Sequence, residues 1–532
     1  MILDSFERQT KARVIVGFGF VLFIVTGLRG IDFGHHWDET FHINSISQAV
    51  RKDQYLPTHY YYPTGTFFLT AVTMAPQYVR LAIKHNWSAS RFSENVVGFI
   101  NSHRYLLLNR SIFLVLSALA IVWVYFMGWM WTGDWRSSAL GSLILAGSFE
   151  FAYHSRFLVP DAIMGQAATL SLMCSIAALT KRSTNWLYWA AAVAGIAFSL
   201  KYPGGIVILS VLLIPAVLWS GLSLLERCKY VVIACAIFGV VCLALTPGMV
   251  IEPAKFVSNL ATQSQVYQAS TGDGSFYVVP GLPNLKLMSV YLGGVALSHY
   301  LPISALLFCF ALVGLYWAFR KDWRCWLIVV VAIVPYLGFF STRGLMVVRN
   351  FQIAIPSVAI FSAMGMIAVY QYVGIYWRRF RGVVVGVVFV CLTLNYFWLV
   401  KASFSIDRPI SELRVSSLCR ELIESEPEHT FTATQSVISV LRLTGSVPSN
   451  VAETSALTPP DRVIYLAPID FAKNRGEWAR LDANRRSLYR VSESGPQELN
   501  FNYYPSWEGE KRPAVIHYGY AKSRGVLEVL FH

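Results

Sequence analysis

Apolar stretches of about 17–25 residues, the length a helix needs to cross a bilayer, recur about eleven times between residues 12 and 402. They lie near 12–30, 105–131, 138–154, 162–180, 186–200, 203–221, 230–248, 300–319, 325–341, 351–372 and 383–402. A chain with that pattern must satisfy its backbone polar groups inside helices wherever lipid surrounds it. Composition agrees: 55% of the residues are hydrophobic and 14% charged, against about 25% charged in a soluble globular protein. The sequence is that of a polytopic α-helical membrane protein.

The basic residues set the orientation. Arg8, Lys11 and Arg13 precede the first apolar run. Lys181 and Arg182, Arg227 and Lys229, Arg320, Lys321 and Arg324, and Arg378, Arg379 and Arg381 then recur at every second turn. Short cytoplasmic loops are enriched in Lys and Arg, so the N-terminus is expected in the cytoplasm and the C-terminus outside, in an inner (plasma) membrane. The net charge of +14 follows from this sidedness and requires no nucleic-acid partner. The run Val14–Leu28 lacks a small-residue cleavage site after it and reads as an uncleaved first span. The eight cysteines form no CxxC pair, and five lie inside apolar runs, so neither a zinc ribbon nor a redox site is indicated.

Residues 1–402 therefore read as the membrane domain, with three long segments on the outer side: 31–104, about 251–298, and everything after Lys401. Loops of that length usually carry function or their own structure. In the tail, Ser411–Ser425 has helical periodicity, and Thr430–Thr434, Arg462–Ala467 and Pro513–Tyr518 read as strands, so 403–526 is expected to form a small α/β domain. Leu527–His532 looks like the remnant of a protease recognition site appended to the chain.

The chemistry concentrates just after the first span. Ile31-Asp32-Phe33-Gly34-His35-His36-Trp37-Asp38-Glu39-Thr40-Phe41-His42 places two adjacent carboxylates among histidines and a Trp. Ile43, Ile46 and Val50 follow at helical spacing, as in a helix lying in the interface plane with its apolar face toward lipid or bundle. Asp38 then stands at the N-cap with Glu39 at the first helical position, a capping role as compatible with the pattern as a catalytic one. A second acid, Asp161 in His154-Ser155-Arg156-Phe157-Leu158-Val159-Pro160-Asp161, falls on the same side. An ionisable residue at a helix end in a bundle suggests function; a structural Arg156–Asp161 pair closing the turn is the alternative. Lys201, Arg343 and Arg349 add cations at outer turns, where they either snorkel to lipid head groups or receive a specific anion such as a lipid-linked phosphate.

Taken in order, Trp37-Asp38-Glu39, Tyr60-Tyr61-Tyr62-Pro63, Leu108-Asn109-Arg110-Ser111, Arg156–Asp161, Leu200-Lys201-Tyr202-Pro203 and Arg349–Pro356 resemble the GT-C superfamily of polyprenyl-phosphate-sugar-dependent glycosyltransferases. The protein O-mannosyltransferase and lipid A aminoarabinose transferase branches are the nearest. Over Arg13 to Lys401 this resemblance implies a GT-C fold with interfacial helices in the first outer loop. It also implies transfer of a sugar from a polyprenyl (undecaprenyl) monophosphate to a hydroxyl of a glycan, lipid or protein. By this resemblance Asp38 is the catalytic acid-base residue, Glu39 its neighbour and Asp161 the second acidic position. Lys201, Arg349, Arg343 and Arg156 are assigned to the donor phosphate, and His36, His42, Tyr61, Tyr62 and Tyr202 line the substrate. The chain departs from the family in carrying Phe41-His42 after the acidic pair, Pro63-Thr64 for Pro-Pro, and Tyr61 or Tyr62 where some relatives have Lys.

The expected chemistry is inverting, with Asp38 taking the acceptor proton and the cations stabilising the leaving phosphate. No cofactor is required on this reading. A divalent metal at His36 and His42 is the minority alternative, since adjacent His35 and His36 seldom point at one ion. A transporter or flippase would share the hydropathy but places its ionisable groups near the midplane of repeated halves. An oligosaccharide ligase would need further cations for a diphosphate donor.

Overall fold

The computed structural model describes residues 2–29, 31, 37–84, 89–268, 278–298 and 300–405. Beyond these it describes 419–421, 423–425, 427–428, 430–434, 438, 441, 446–454, 463–467, 486–492, 503–504, 514–515 and 526–531.

The chain enters through α1 (Ile2–Arg29), and four shorter helices, α2 (Trp37–Arg51), α3 (Gly65–Thr73), α4 (Ala75–Lys84) and α5 (Ala89–Ile100), precede the next long span, α6 (His103–Thr132). Ser102 caps α6 by accepting the Tyr105 N–H, and Gly133, with φ of 68°, ends it in the left-handed conformation that suits glycine. α7 (Trp135–Ala146) and α8 (Phe149–His154) divide the expected span 138–154. The break falls at Ser148, whose side chain caps α8 by accepting the Phe151 N–H. α9 (Pro160–Lys181) starts on a proline, which forfeits no helical hydrogen bond at that position, and α10 (Thr184–Leu200) returns antiparallel to it.

The expected span 203–221 is irregular. A 3₁₀ turn (Tyr202–Val207), α11 (Ile208–Leu213) and a π turn (Ile214–Leu218) follow one another. Next come α12 (Leu224–Leu245), α13 (Gly248–Ile251), α14 (Pro253–Gln268), α15 (Leu282–Gly294), α16 (Leu301–Lys321) and α17 (Trp323–Ser341). A 3₁₀ turn (Val348–Ile353), α18 (Ile355–Tyr376) and α19 (Arg381–Ser405) complete the helical part. Among the described residues eight helices have the length and apolar character to cross a membrane, with Tyr202–Leu218 a shorter apolar segment. The expected count of about eleven therefore includes three segments, at 138–154, 186–200 and 203–221, that are shorter or broken.

Burial separates the helices in a way hydropathy does not. In the most apolar window of α9, 89% of the residues are buried, against 11% in α12 and 22% in the last span. α9 is the centre of the bundle, packed on α6 and α10, while α12 and α19 expose Val232, Val240, Phe389 and Val390. α16 and α18 approach backbone to backbone: a Cβ on Gly314 would run into the Phe361 carbonyl oxygen, and one on Gly365 into that of Phe310.

The interfacial helix is α2. It begins at Trp37, so Asp38 and Glu39 lie within its first turn rather than at a cap and first position. Its apolar face turns to protein: Ile46 packs with Met74, Val96, Ile100 and Tyr105 from α3–α6 and their connections.

In the C-terminal part the expected strands are β1 (Phe431–Thr434), β3 (Val463–Ala467) and β6 (Ala514–Val515), joined by β2 (Val451–Thr454), β4 (Arg486–Ser492), β5 (Tyr503–Tyr504) and β7 (Val526–Phe531). One sheet has the order β2-β1-β3-β7-β4, with β1 parallel to β2 and β3, and β7 antiparallel to β3 and β4. Most of the residues read as an appended remnant, 527–532, thus belong to β7. The helix expected at Ser411–Ser425 falls largely outside the described residues.

Candidate active site

Four elements converge at the N-terminal end of α9. Asp161 is the second residue of that helix, fully buried. Lys201 ends α10 in an extended conformation (φ −154°, ψ 129°) that turns its side chain out of the helix path. Arg349 and Asn350 come from the 3₁₀ turn Val348–Ile353, and Asp38 from α2. Two glycines permit the approach. A Cβ on Gly65 would run into the Ser199 carbonyl oxygen, and one on Gly165 would stand 3.0 Å from that of Gln352. The first lets α3 start against the end of α10 beside Lys201. The second seats the Arg349 turn against α9 one turn past Asp161.

Lys201 Nζ lies 2.5 Å from Asp161 Oδ1 and donates to Asn350 Oδ1 at 2.6 Å. Arg349 spans both acids, with Nη2 2.7 Å from Asp38 Oδ2 and Nε 3.3 Å from Asp161 Oδ2. The Tyr62 hydroxyl donates to the same Asp38 oxygen at 2.8 Å. Asn350 is held in turn, its carbonyl oxygen accepting from the Tyr336 hydroxyl at 2.6 Å. Asp38 is the open edge of the cluster, its side chain 14% exposed while that of Asp161 is wholly covered. Two carboxylates and two cations make the group formally neutral, and buried charges persist only with such pairing.

Glu39 faces another way. Arg110 donates to it from Nε at 2.8 Å and Nη2 at 2.5 Å, a bidentate pair, and the Leu158 N–H donates to Oε1 at 2.8 Å. Arg110 also donates to the Ile31 carbonyl at 2.9 Å and lies over the Phe157 ring. This clamp ties the start of α2 to α6 and to the turn before α9. It fixes the Asp38 backbone while Asp38's own side chain turns to the cluster.

The remaining expected residues divide. Tyr62 joins the cluster. His42 packs beside it, ring centroids 5.1 Å apart, and is buried with Nε2 lacking a hydrogen-bond partner among the described residues. Burial drives its pKa down to about 4, against the opposing pull of Asp38, Asp161 and Glu39, so the ring is neutral at physiological pH. Burial likewise raises the Tyr62 phenol well above its usual value, which keeps it a donor toward Asp38. Tyr61 stacks on His59 (5.4 Å, 8°), away from the carboxylates. Tyr202 turns its hydroxyl to the Tyr60 carbonyl at 2.8 Å and so supports the 60–62 segment instead of lining the cluster.

Arg343 lies over the Phe339 ring at 4.2 Å and pairs with no acid among the described residues, so the structure does not bring it to the two aspartates. The expected Arg156–Asp161 pair is replaced by the Lys201 and Arg349 contacts of Asp161. Arg156 instead packs over Tyr153, its pKa lowered to about 10 by burial and by the neighbouring positive Arg110. His36 lies outside the described residues. Among the described residues no three His, Cys, Asp or Glu side chains gather as a metal site would require.

Sequence reasoning missed Asn350, Tyr336 and a polar latch behind the tyrosine segment. There the Tyr60 hydroxyl donates to Glu252 at 2.5 Å, the Tyr60 N–H donates to Asn259 at 2.8 Å, and Lys255 pairs with Glu252 at 3.0 Å. Neutral and exposed polar groups of this kind leave no mark in hydropathy. The role of Arg110 was signalled, since a cation inside an apolar span demands an internal partner.

Residues 106–245, which include Arg110, Asp161 and Lys201, match the family model described as dolichyl-phosphate-mannose-protein mannosyltransferase. No curated protein matches the chain. Among solved structures the fold is similar to that of ArnT from Cupriavidus metallidurans bound to undecaprenyl phosphate. The TM-score is 0.55 at 12% identity, over 97% of each chain. ArnT from the same organism in the apo state gives a TM-score of 0.55 at 12% identity over 98% of each chain. The S. cerevisiae protein O-mannosyltransferase Pmt1-Pmt2 complex bound to the sugar donor gives a TM-score of 0.33 at 17% identity, over 52% of this chain and 36% of that one. The resemblance seen in the motifs thus recurs in a family model over the central helices and in a fold shared along nearly the whole chain.

Proposed function

We propose that the chain transfers a sugar from a polyprenyl monophosphate to an acceptor hydroxyl, with inversion at the anomeric carbon, on the outer face of an inner membrane. The observation that carries this reading is a partly exposed carboxylate, Asp38, paired with Arg349 beside a second buried cation, Lys201, with both cations held by Asp161. The cytoplasmic N-terminus and outer C-terminal domain (403–526) come from the alternation of basic loops. The bound undecaprenyl phosphate of the ArnT structure supports the choice of donor lipid.

In this mechanism the acceptor O–H gives its proton to an Asp38 carboxylate oxygen as the acceptor oxygen attacks the anomeric carbon. The bond from that carbon to the phosphate oxygen breaks, and its electron pair leaves with the polyprenyl phosphate. Lys201 and Arg349 stabilise the charge that develops there, already oriented by Asp161 and Asn350 and so costing little reorganisation. Asp161 acts as their counter-ion and positioning residue. Glu39 holds α2 in register through Arg110, and Tyr62 orients the base. A phosphate that engages Arg349 competes with Asp38 for that guanidinium, which couples donor binding to the placement of the base.

The test is transfer from purified polyprenyl-phosphate sugars into glycan, lipid and protein acceptors by the full chain in detergent, with the anomeric configuration of the product determined. Inverted product that depends on Asp38 supports the reading. Retention of configuration, or substrate movement without bond cleavage, overturns it.

A further inference from the structure

A second charged cavity lies at the opposite end of α9. Arg13 of α1, Tyr125, Phe126 and Trp129 of α6, and Lys181 of α9 line a space of about 390 Å³. Asp161 and Lys181 stand at the two ends of one continuous helix. At 1.5 Å per residue that separation is roughly 30 Å, the thickness of a bilayer's hydrocarbon core. This cavity therefore opens at the other membrane surface from the aspartate cluster.

Its chemistry is that of an anion site. Arg13 and Lys181 are both exposed, and neither pairs with an acid among the described residues. Lys181 Nζ lies over the Trp186 ring at 5.3 Å. Tyr125 is 4% exposed, and its hydroxyl makes no hydrogen bond to a described residue, leaving a donor at the cavity wall. An apolar track leads away from the cavity: Val14, Phe18 and Val21 on α1 are 66%, 68% and 56% exposed. Cations that merely snorkel to head groups need neither a concave wall nor a buried hydroxyl donor beside them.

We propose that this cavity binds the phosphodiester headgroup of an anionic phospholipid, with its acyl chains lying along the exposed face of α1. Arg13 and Lys181 neutralise the phosphate, Tyr125 donates a hydrogen bond, and the apolar track distinguishes a lipid from a soluble phosphate.

The experiment titrates the full-length protein in detergent with phosphatidylglycerol and with phosphatidylcholine of the same acyl chains, followed by native mass spectrometry. Inorganic phosphate is added in a parallel thermal-shift series. The wild type is expected to retain phosphatidylglycerol in preference to phosphatidylcholine, and Arg13→Gln/Lys181→Gln to lose about thirtyfold in phosphatidylglycerol affinity. Tyr125→Phe, which keeps the ring and its packing, should weaken the same lipid severalfold and keeps the question answerable if the double variant folds poorly. Unchanged phosphatidylglycerol retention in the variants, or equal retention of the two lipids by the wild type, overturns the site. Stabilisation by inorganic phosphate equal to that by phosphatidylglycerol overturns the lipid assignment.

Discussion

Arg349 holds Asp38 by a 2.7 Å contact to Oδ2, so the carboxylate proposed as base rests on a cation proposed for the donor phosphate. One guanidinium cannot serve both partners fully. Donor phosphate and Asp38 therefore compete for the same guanidinium.

The first prediction concerns Asp38 itself. Asp38→Asn keeps an oxygen to accept from Tyr62 and Arg349 while removing the proton acceptor. General-base catalysis is worth about 10²–10⁴-fold, and single-turnover transfer at saturating donor should fall by roughly that factor. Thermal stability in detergent should fall, but by less than in Asp161→Asn, because the Asp38 side chain is 14% exposed and that of Asp161 is wholly covered. Near-normal transfer would remove Asp38 from the chemistry.

Asp161→Asn should behave differently. It leaves Lys201 and Arg349 buried with one counter-charge fewer, and breaking a buried pair costs about 3–5 kcal/mol. A lowered melting temperature together with lost donor binding is expected. Asp161→Asn combined with Lys201→Met should recover stability without recovering transfer. Thermal unfolding and donor titration on the single and double variants decide it.

Glu39→Gln isolates the clamp. The Arg110 guanidinium would keep its place beside a neutral partner, and stability should drop by a similar few kcal/mol. Transfer per folded molecule should stay within about tenfold of the wild type, because general-base chemistry is assigned to the neighbouring residue. A loss as deep as that of Asp38→Asn at unchanged stability would place Glu39 in the chemistry.

His42 adds a pH dependence. Its folded pKa, about 4, lies below the usual 6.5, so between those values the unfolded chain binds the extra proton. Stability from this residue is complete above about pH 6.5 and is lost as pH falls toward 4, by on the order of 3 kcal/mol in all. The melting temperature of the wild type should therefore decline more steeply over that window than that of His42→Gln. Parallel curves would show that His42 does not titrate as a buried neutral ring.

Tyr62→Phe tests the orienting bond. Removing the phenol leaves Asp38 with Arg349 and one acceptor position open, and a net hydrogen bond of about 1–1.5 kcal/mol corresponds to roughly a tenfold loss in kcat. Donor affinity should hold. If donor affinity falls with kcat unchanged, the hydroxyl contacts the donor rather than the base.

Hydrophobicity and local chemistry dictate part of this protein residue by residue. Runs such as 105–131 and 351–372 must be helices because lipid leaves their backbone no other partner. The basic turns follow one sidedness, and Asp38, Asp161, Lys201 and Arg349 are charges at span ends that need an explanation wherever they meet. Which of them meet depends on how distant segments pack. Asp161 reads locally as a partner for Arg156, five residues away, yet it pairs with Lys201 and Arg349, 40 and 188 positions along the chain. Asp38 and Glu39 are adjacent in sequence, but successive helix positions point about 100° apart, so one reaches the cluster and the other is consumed by Arg110. Arg343 and Arg349 look equivalent in sequence, and the turn Val348–Ile353 carries only the second to α9. Helix burial was equally hidden: α9 and α12 have similar lengths and both are apolar, but only α9 has protein on every side. Pairing energy depends steeply on distance and on exclusion of water, and both are set by packing between segments far apart in the chain.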